Sequence, residues 1–242
     1  MNGTVVNRVV PSPARRARCA LLATLALVAV DVPALGGVVT ATFSVGDAPS
    51  STITIVGTPG PLGGEQFLQT VDVDGVKITW SYTVKIDAAQ NRILSGTTTI
   101  VNATSAPVDV ESRLSNDLAQ PLVSNVVTGG TVSVKLVTDS DGGSLTCGDG
   151  LALVAAVADD TVVGAFFYCP FLISLSGMSS ASTSAYWGLP IPSAPIAATI
   201  DSLGHQVSVA LTPGDKAIMT MLFAANGKVA VVPPALPPGG VD

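Results

Sequence analysis

The chain has 242 residues and a formal net charge of −6; only 12 % of its residues are charged, against 48 % hydrophobic. One histidine and three cysteines leave few ligands or bases for metal or nucleophilic chemistry. The apolar content is ample for a folded core, and the acidic balance disfavours nucleic acid and anionic membrane surfaces.

Residues 1–36 read as a cleaved secretory signal peptide. Arg8, Arg15, Arg16 and Arg18 form the basic region, and residues 19–30 (CALLATLALVAV) the apolar one. Asp31 and Pro33 end that run, and Ala34-Leu35-Gly36 offers a small-x-small cleavage site, with a second after Ala41. An apolar run of 12 residues is too short for a membrane span of about 20, so none is expected in the mature chain. Without the leader's four arginines and Asp31, 7 basic and 16 acidic residues remain, a balance of −9.

Residues 37–230 are expected to form a single all-β domain, an antiparallel β-sandwich or jelly roll. The clearest strand is 76–87 (VKITWSYTVKID), whose Val76, Ile78, Trp80, Tyr82, Val84 and Ile86 share one face. Asp74-Gly75 before it signals a type I′ hairpin turn, making 66–73 the partner strand. The chain turns again at 87–91 and returns over 92–102. Residues 111–119 (ESRLSNDLA) read as a two-turn helix. Val132, Val134 and Leu136 alternate before the turn Asp139-Ser140-Asp141-Gly142-Gly143. The apolar runs 151–157 and 161–168 read as central strands covered on both faces, the first also compatible with a short helix. Residues 174–184 form a Ser-rich loop. Val207, Val209 and Leu211 alternate before Thr212-Pro213-Gly214-Asp215, and 217–225 returns as a strand, closing a hairpin. Trp80, Tyr82, Val134, Val209 and Met219 are expected to face the core. The proline-rich 231–242 is read as an extended, disordered tail.

Cys147 and Cys169, 22 positions apart, form an even pair in an exported chain and are expected to be disulfide-bonded. His205 reads as a turn residue. A serine hydrolase would pair it with Ser179, but Gly177-Met178-Ser179-Ser180-Ala181 lacks the final glycine and the following helix of a nucleophile elbow. The pairs Asp72/Asp74, Asp139/Asp141 and Asp159/Asp160 could serve a glycosidase, yet all lie in turn contexts that favour Asp for local backbone bonding. Asp139 and Asp141 resemble the start of a calcium loop, with Asp149 a further ligand if the loop folds back, but Gly143 and Gly150 replace two of its acceptors. No cofactor is therefore expected, with calcium as the alternative. Tyr186 and Trp187 follow a loop and are the candidate ligand-binding aromatics. Asn102-Ala103-Thr104 matches a glycosylation sequon.

The leader, the low-charge strands, residues 211–217 (LTPGDKA) and Val232-Pro233-Pro234-Ala235 resemble exported bacterial β-sandwich proteins that carry a PEP-CTERM sorting tail. In that family a Val-Pro-Glu-Pro string precedes a membrane helix and a basic cluster; here Pro234 replaces the Glu, and neither follows. The resemblance implies surface or extracellular-matrix association without a known catalytic residue; with the leader, the expectation is a secreted, periplasmic or cell-surface protein with envelope, matrix or glycan components as partners. A non-catalytic protein acting through its surface is the expectation, with a carbohydrate-binding module and a secreted hydrolase as alternatives.

Overall fold

A computed structural model describes residues 37–60 and 63–229, which lie within one compact unit; the leader and tail readings fall outside these residues. Fifteen antiparallel strands make up the fold: β1 Val38–Val45, β2 Ser51–Val56, β3 Thr58–Pro59, β4 Glu65–Val73, β5 Val76–Ile86, β6 Arg92–Asn102, β7 Val108–Val137, β8 Gly143–Cys147, β9 Ala152–Ala158, β10 Thr161–Tyr168, β11 Leu172–Leu175, β12 Ser180–Trp187, β13 Ala194–Ile196, β14 Ile200–Leu211 and β15 Lys216–Val229. The all-β expectation holds.

β7 organises the molecule, because its two halves belong to different layers. Residues 108–117 lie between β1 and β14, whereas residues 122–137 lie between β15 and the pair β12/β13. The changeover falls where pairing with β14 lapses, between Asp117 opposite Ser202 and Leu122 opposite Ile200. Pro121 sits in that gap, and its missing N–H cannot serve a ladder. The first layer runs β2-β1-β7-β14-β9-β10, with β8 and β11 continuing beside β14. The second runs β3-β4-β5-β6-β15-β7-β12, with β13 also on β7. The inner faces of the two layers meet at Trp80, whose ring lies 5.6 Å from Phe43 and whose Nε1–H donates to Ser112 Oγ at 2.9 Å.

Local chemistry explains the hairpin that starts the second layer. Val73 pairs with Val76, and Asp74 (φ 51°) and Gly75 (φ 87°) both take the left-handed conformation of a type I′ turn. The inward residues of β5 are buried, with Trp80 fully so. At the β5–β6 turn, Asp87 accepts the N–H groups of Ala89 and Asn91. Burial alone would raise its carboxyl, but these bonds and the Asn91 side chain outweigh it and hold the group below the usual range. Tyr82, Val134, Val209 and Met219 are buried as expected.

Five local expectations are corrected. Residues 111–119 are strand, not helix: they lie inside β7, burying Ser112, Leu114 and Asn116 while Glu111, Arg113 and Ser115 turn outward. β9 is strand and nearly all buried, but β10 is the last strand of its layer and half-exposed rather than central. The Ser-rich stretch 174–184 mostly belongs to β11 and β12. β14 and β15 do not form a hairpin: β14 pairs with β7, β8 and β9, and β15 with β6 and β7. The 212–215 turn, with Gly214 at φ 76°, therefore carries the chain from one layer to the other. His205 lies in the middle of β14, opposite Leu114 of β7, rather than at a turn.

Candidate functional site

His205 faces the interior and is 1 % exposed. Its ring stacks on Tyr82 at 4.6 Å and 23°. Thr98 Oγ1 joins the two, 3.2 Å from His205 Nε2 and 3.1 Å from the Tyr82 hydroxyl. Nδ1 is buried without a hydrogen-bond partner among the described residues. Burial lowers the His205 pKa to about 3, so the ring is neutral at physiological pH, and burial pushes the Tyr82 phenol up. Ser179, its sequence-level partner in a hydrolase, lies elsewhere: it accepts and gives hydrogen bonds at Thr138 and Gly177 on the approach to β12. The structure does not bring the two together.

One member of each acidic pair accepts backbone N–H groups, within a turn for Asp72 and Asp139 and across to β14 for Asp159. Asp72 Oδ1 accepts the Gly75 N–H within the β4–β5 turn. Asp159 accepts the N–H groups of Asp201 and Ser202 and the Ser202 hydroxyl, and Asp160 pairs with Arg113. Asp139 accepts the Asp141 N–H at 3.0 Å, an Asx turn within the β7–β8 connection. Asp139 and Asp141 border a groove with Thr104, Thr212 and Pro213, whereas Asp149 lines a separate groove with Ser44, Asp109 and Ser208. The three proposed calcium ligands are thus split between two places, and no group of three His, Cys, Asp or Glu side chains placed to hold a metal occurs among the described residues.

Cys147 and Cys169 are disulfide-bonded, with Cα atoms 5.9 Å apart. The bridge ties the end of β8 to the segment after β10, where the Cys169 N–H also donates to Leu151 O. The sequon asparagine Asn102 is 0 % exposed, and its Nδ2 donates to the carbonyls of Ala106 and Leu211. This side chain fastens the layer-crossing turn and offers no face to a glycan.

Strand alternation separates Tyr186 from Trp187. Tyr186 is 67 % exposed. Trp187 turns inward against Phe166 at 5.0 Å and Phe223 at 5.6 Å, lying over Gly130 and Gly164, where a Cβ would meet its ring. The pair does not form one aromatic platform.

A feature that residue-type motifs miss emerges only from register. Ser184, Ser133, Thr220, Thr97 and Ser81 stand side by side across β12, β7, β15, β6 and β5 on the outer face of the second layer. Strand neighbours lie about 4.8 Å apart, so this row is an uncharged band of hydroxyls five strands wide. Thr97 and Thr220 hydroxyls lie 3.3 Å apart, and Thr70 and Thr79 one row away lie 3.0 Å apart. Tyr186 projects from the same face, beside Thr131. In sequence these hydroxyls are scattered from residue 81 to residue 184 and beyond, and only alternation on each strand hinted that they face outward.

No family model and no curated protein matches the chain. Among solved structures, the chain is similar to the structure of the infectious bursal disease virus Gx strain, with 12 % identity over 82 % of this chain and 57 % of that chain and a TM-score of 0.19. The chain therefore spans little more than half the length of that protein, and a similarity at this score carries no argument about fold or function. No helix among the described residues is long and apolar enough to cross a membrane.

Proposed function

We propose that the chain is an exported, non-catalytic protein that works through its surface in a cell envelope or extracellular matrix. The observation that supports this best is the hydroxyl band across β12, β7, β15, β6 and β5. Hydroxyls both donate and accept, so they can exchange water for the hydroxyls of a polysaccharide without desolvating a charge. Side chains that a hydrolase would use are engaged in structure: His205 is enclosed against Tyr82, and Asp72, Asp139 and Asp159 accept backbone N–H groups. A disulfide suits an oxidising compartment, to which the leader would direct the chain. The resemblance to PEP-CTERM-associated exported proteins supports the same setting.

The exposure of Tyr186 on this face favours a second reading, a carbohydrate-binding module in which that ring stacks on a sugar. Cosedimentation with insoluble envelope and matrix polysaccharides tests both. Retention of the native chain, lost in a Ser81→Glu/Thr220→Glu double variant of unchanged melting temperature, is the expected result. Retention that also falls in Tyr186→Ala selects the carbohydrate-binding reading. No retention of the native chain, or equal retention of the double variant, overturns the surface-acting reading.

A further inference from the structure

We propose that the free edge of β2 is a self-association site, where a second copy of this chain adds its own β2 antiparallel across a twofold axis. The proposal rests on the surface-acting reading and deepens it by naming the partner. Among the described strands β2 pairs with β1 alone, through six consecutive residue pairs without a bulge. The Gly57 N–H donates to Gly37 O, which makes that pair hydrogen-bonded. Antiparallel ladders alternate bonded and non-bonded pairs. Thr52, Thr54 and Val56 are therefore the β2 residues whose N–H and C=O groups point away from β1, toward the open edge.

The edges at β10, β12 and β4 carry devices against such pairing. β10 has a register shift between Val162 and Gly164 and a left-handed Phe167 (φ 57°). β12 lies against β10 and β11. β4 begins under β3, which carries Pro59, and presents Asp72 near its end. β2 lies near β4 but carries no bulge, proline or charge: it reads STITIV, rich in β-branched residues, and residues 37–64 hold one ionisable side chain, Asp47.

A second copy fits this edge because the strand is complementary to itself. Pairing centred on Thr54 sets it opposite Thr54 of the second copy, Thr52 opposite Val56, and Ile53 opposite Ile55. Residues opposed in this way share a face, so Ile53 and Ile55 remain on the core side in both copies. Thr52, Thr54 and Val56 each exchange N–H···O bonds with their opposites. The second strand also covers part of Val56, which is 72 % exposed and pairs across β1 and β2 with Val38, itself 46 % exposed one strand further in. A six-residue edge falls short of the roughly 1,000 Å² of a stable interface, so the dimer is weak and reversible and forms when copies are concentrated, as in a matrix. Such an isologous contact closes on itself.

Sedimentation equilibrium of the full chain over a wide concentration range tests this. The native chain is expected to dimerise reversibly. Thr54→Lys and Thr54→Glu each place like charges opposite one another and are expected to weaken the dimer roughly tenfold or more, while an equimolar mixture of the two restores it. Thr54→Pro, which removes an edge-facing N–H that β1 does not use, is expected to abolish it without lowering the melting temperature of the monomer by more than a few degrees. If the proline variant fails to fold, the two charge variants and their mixture still decide the matter. A native chain that stays monomeric throughout, or a dimer indifferent to both charges, overturns the proposal. Retention on envelope polysaccharide by a strictly monomeric chain would sink the self-association and leave the surface-acting reading standing.

Discussion

Replacing His205 by Phe should flatten the stability of this protein between pH 6.5 and 4.5. The ring titrates near 6.5 when unfolded and near 3 when folded, because burial disfavours the charged form. Between those values the unfolded chain binds the proton and the native state does not, so unfolding free energy falls as pH falls. The stabilisation from keeping the ring neutral is complete above pH 6.5 and is lost on acidification toward the folded value. The slope is about 1.4 kcal/mol per pH unit, which makes about 2.7 kcal/mol over the two units from 6.5 to 4.5. Asp87, the carboxyl held below its usual range, has an unfolded value of 3.8 and contributes its loss below this window. Phe keeps a flat ring against Tyr82 and removes both the hydrogen bond between Thr98 Oγ1 and Nε2 and the unpartnered Nδ1. Urea unfolding of both proteins at pH 7.5 and 4.5 separates this effect from any repacking cost, which is common to both pH values. The variant should gain about 2.7 kcal/mol on the native protein at the lower pH. A stability difference that is the same at both pH values would refute the argument that His205 is buried as the neutral ring.

Three other outcomes are expected. Cys147→Ala with Cys169→Ala should cost about 3 kcal/mol by the loop-entropy argument for a 22-residue separation, and unreduced native protein should resist alkylation at both positions by mass spectrometry. Trp187→Ala should cost about 3–5 kcal/mol in chemical unfolding because its ring fills the space between Phe166 and Phe223, whereas Tyr186→Ala should stay within about 0.5 kcal/mol; equal effects would contradict the alternation of β12. Trp80→Phe should lose about 1–3 kcal/mol, since it strands the buried Ser112 hydroxyl that Nε1–H now reaches, and Trp80→Phe/Ser112→Ala should recover part of that loss in a thermal melt.

Local pattern carried the sequence furthest where one strand face is apolar and the other polar. β5 and the Asp74-Gly75 turn were legible because both depend on a few adjacent residues: side-chain alternation, and a φ that Gly tolerates. The disulfide was legible from cysteine number and separation. Residues 111–119 misled because the inward positions of β7 include Ser112 and Asn116, so hydropathy hides period two and leaves Leu114 and Leu118 at helical spacing. Ser112 tolerates burial only because Trp80, 32 residues earlier, comes to it across the layers. Trp187 misled for a related reason, since the residues inward of β12 before it, Ala181, Thr183 and Ala185, are too small or polar to mark a core face.

Strand identity and most turns were thus written in short stretches of sequence, through steric limits on φ and the opposite directions of successive side chains. Tertiary structure decided which turn closes a hairpin and which crosses between layers, which strand stands at an edge, and which polar groups are sealed inside. Those outcomes depend on partners far apart in the chain. Whether 212–215 joins neighbours depends on β7 having already taken the places beside both β14 and β15. Whether His205 is a surface base or a neutral core ring depends on Tyr82 and Thr98, brought to it from more than 100 residues away by the packing of one layer on the other.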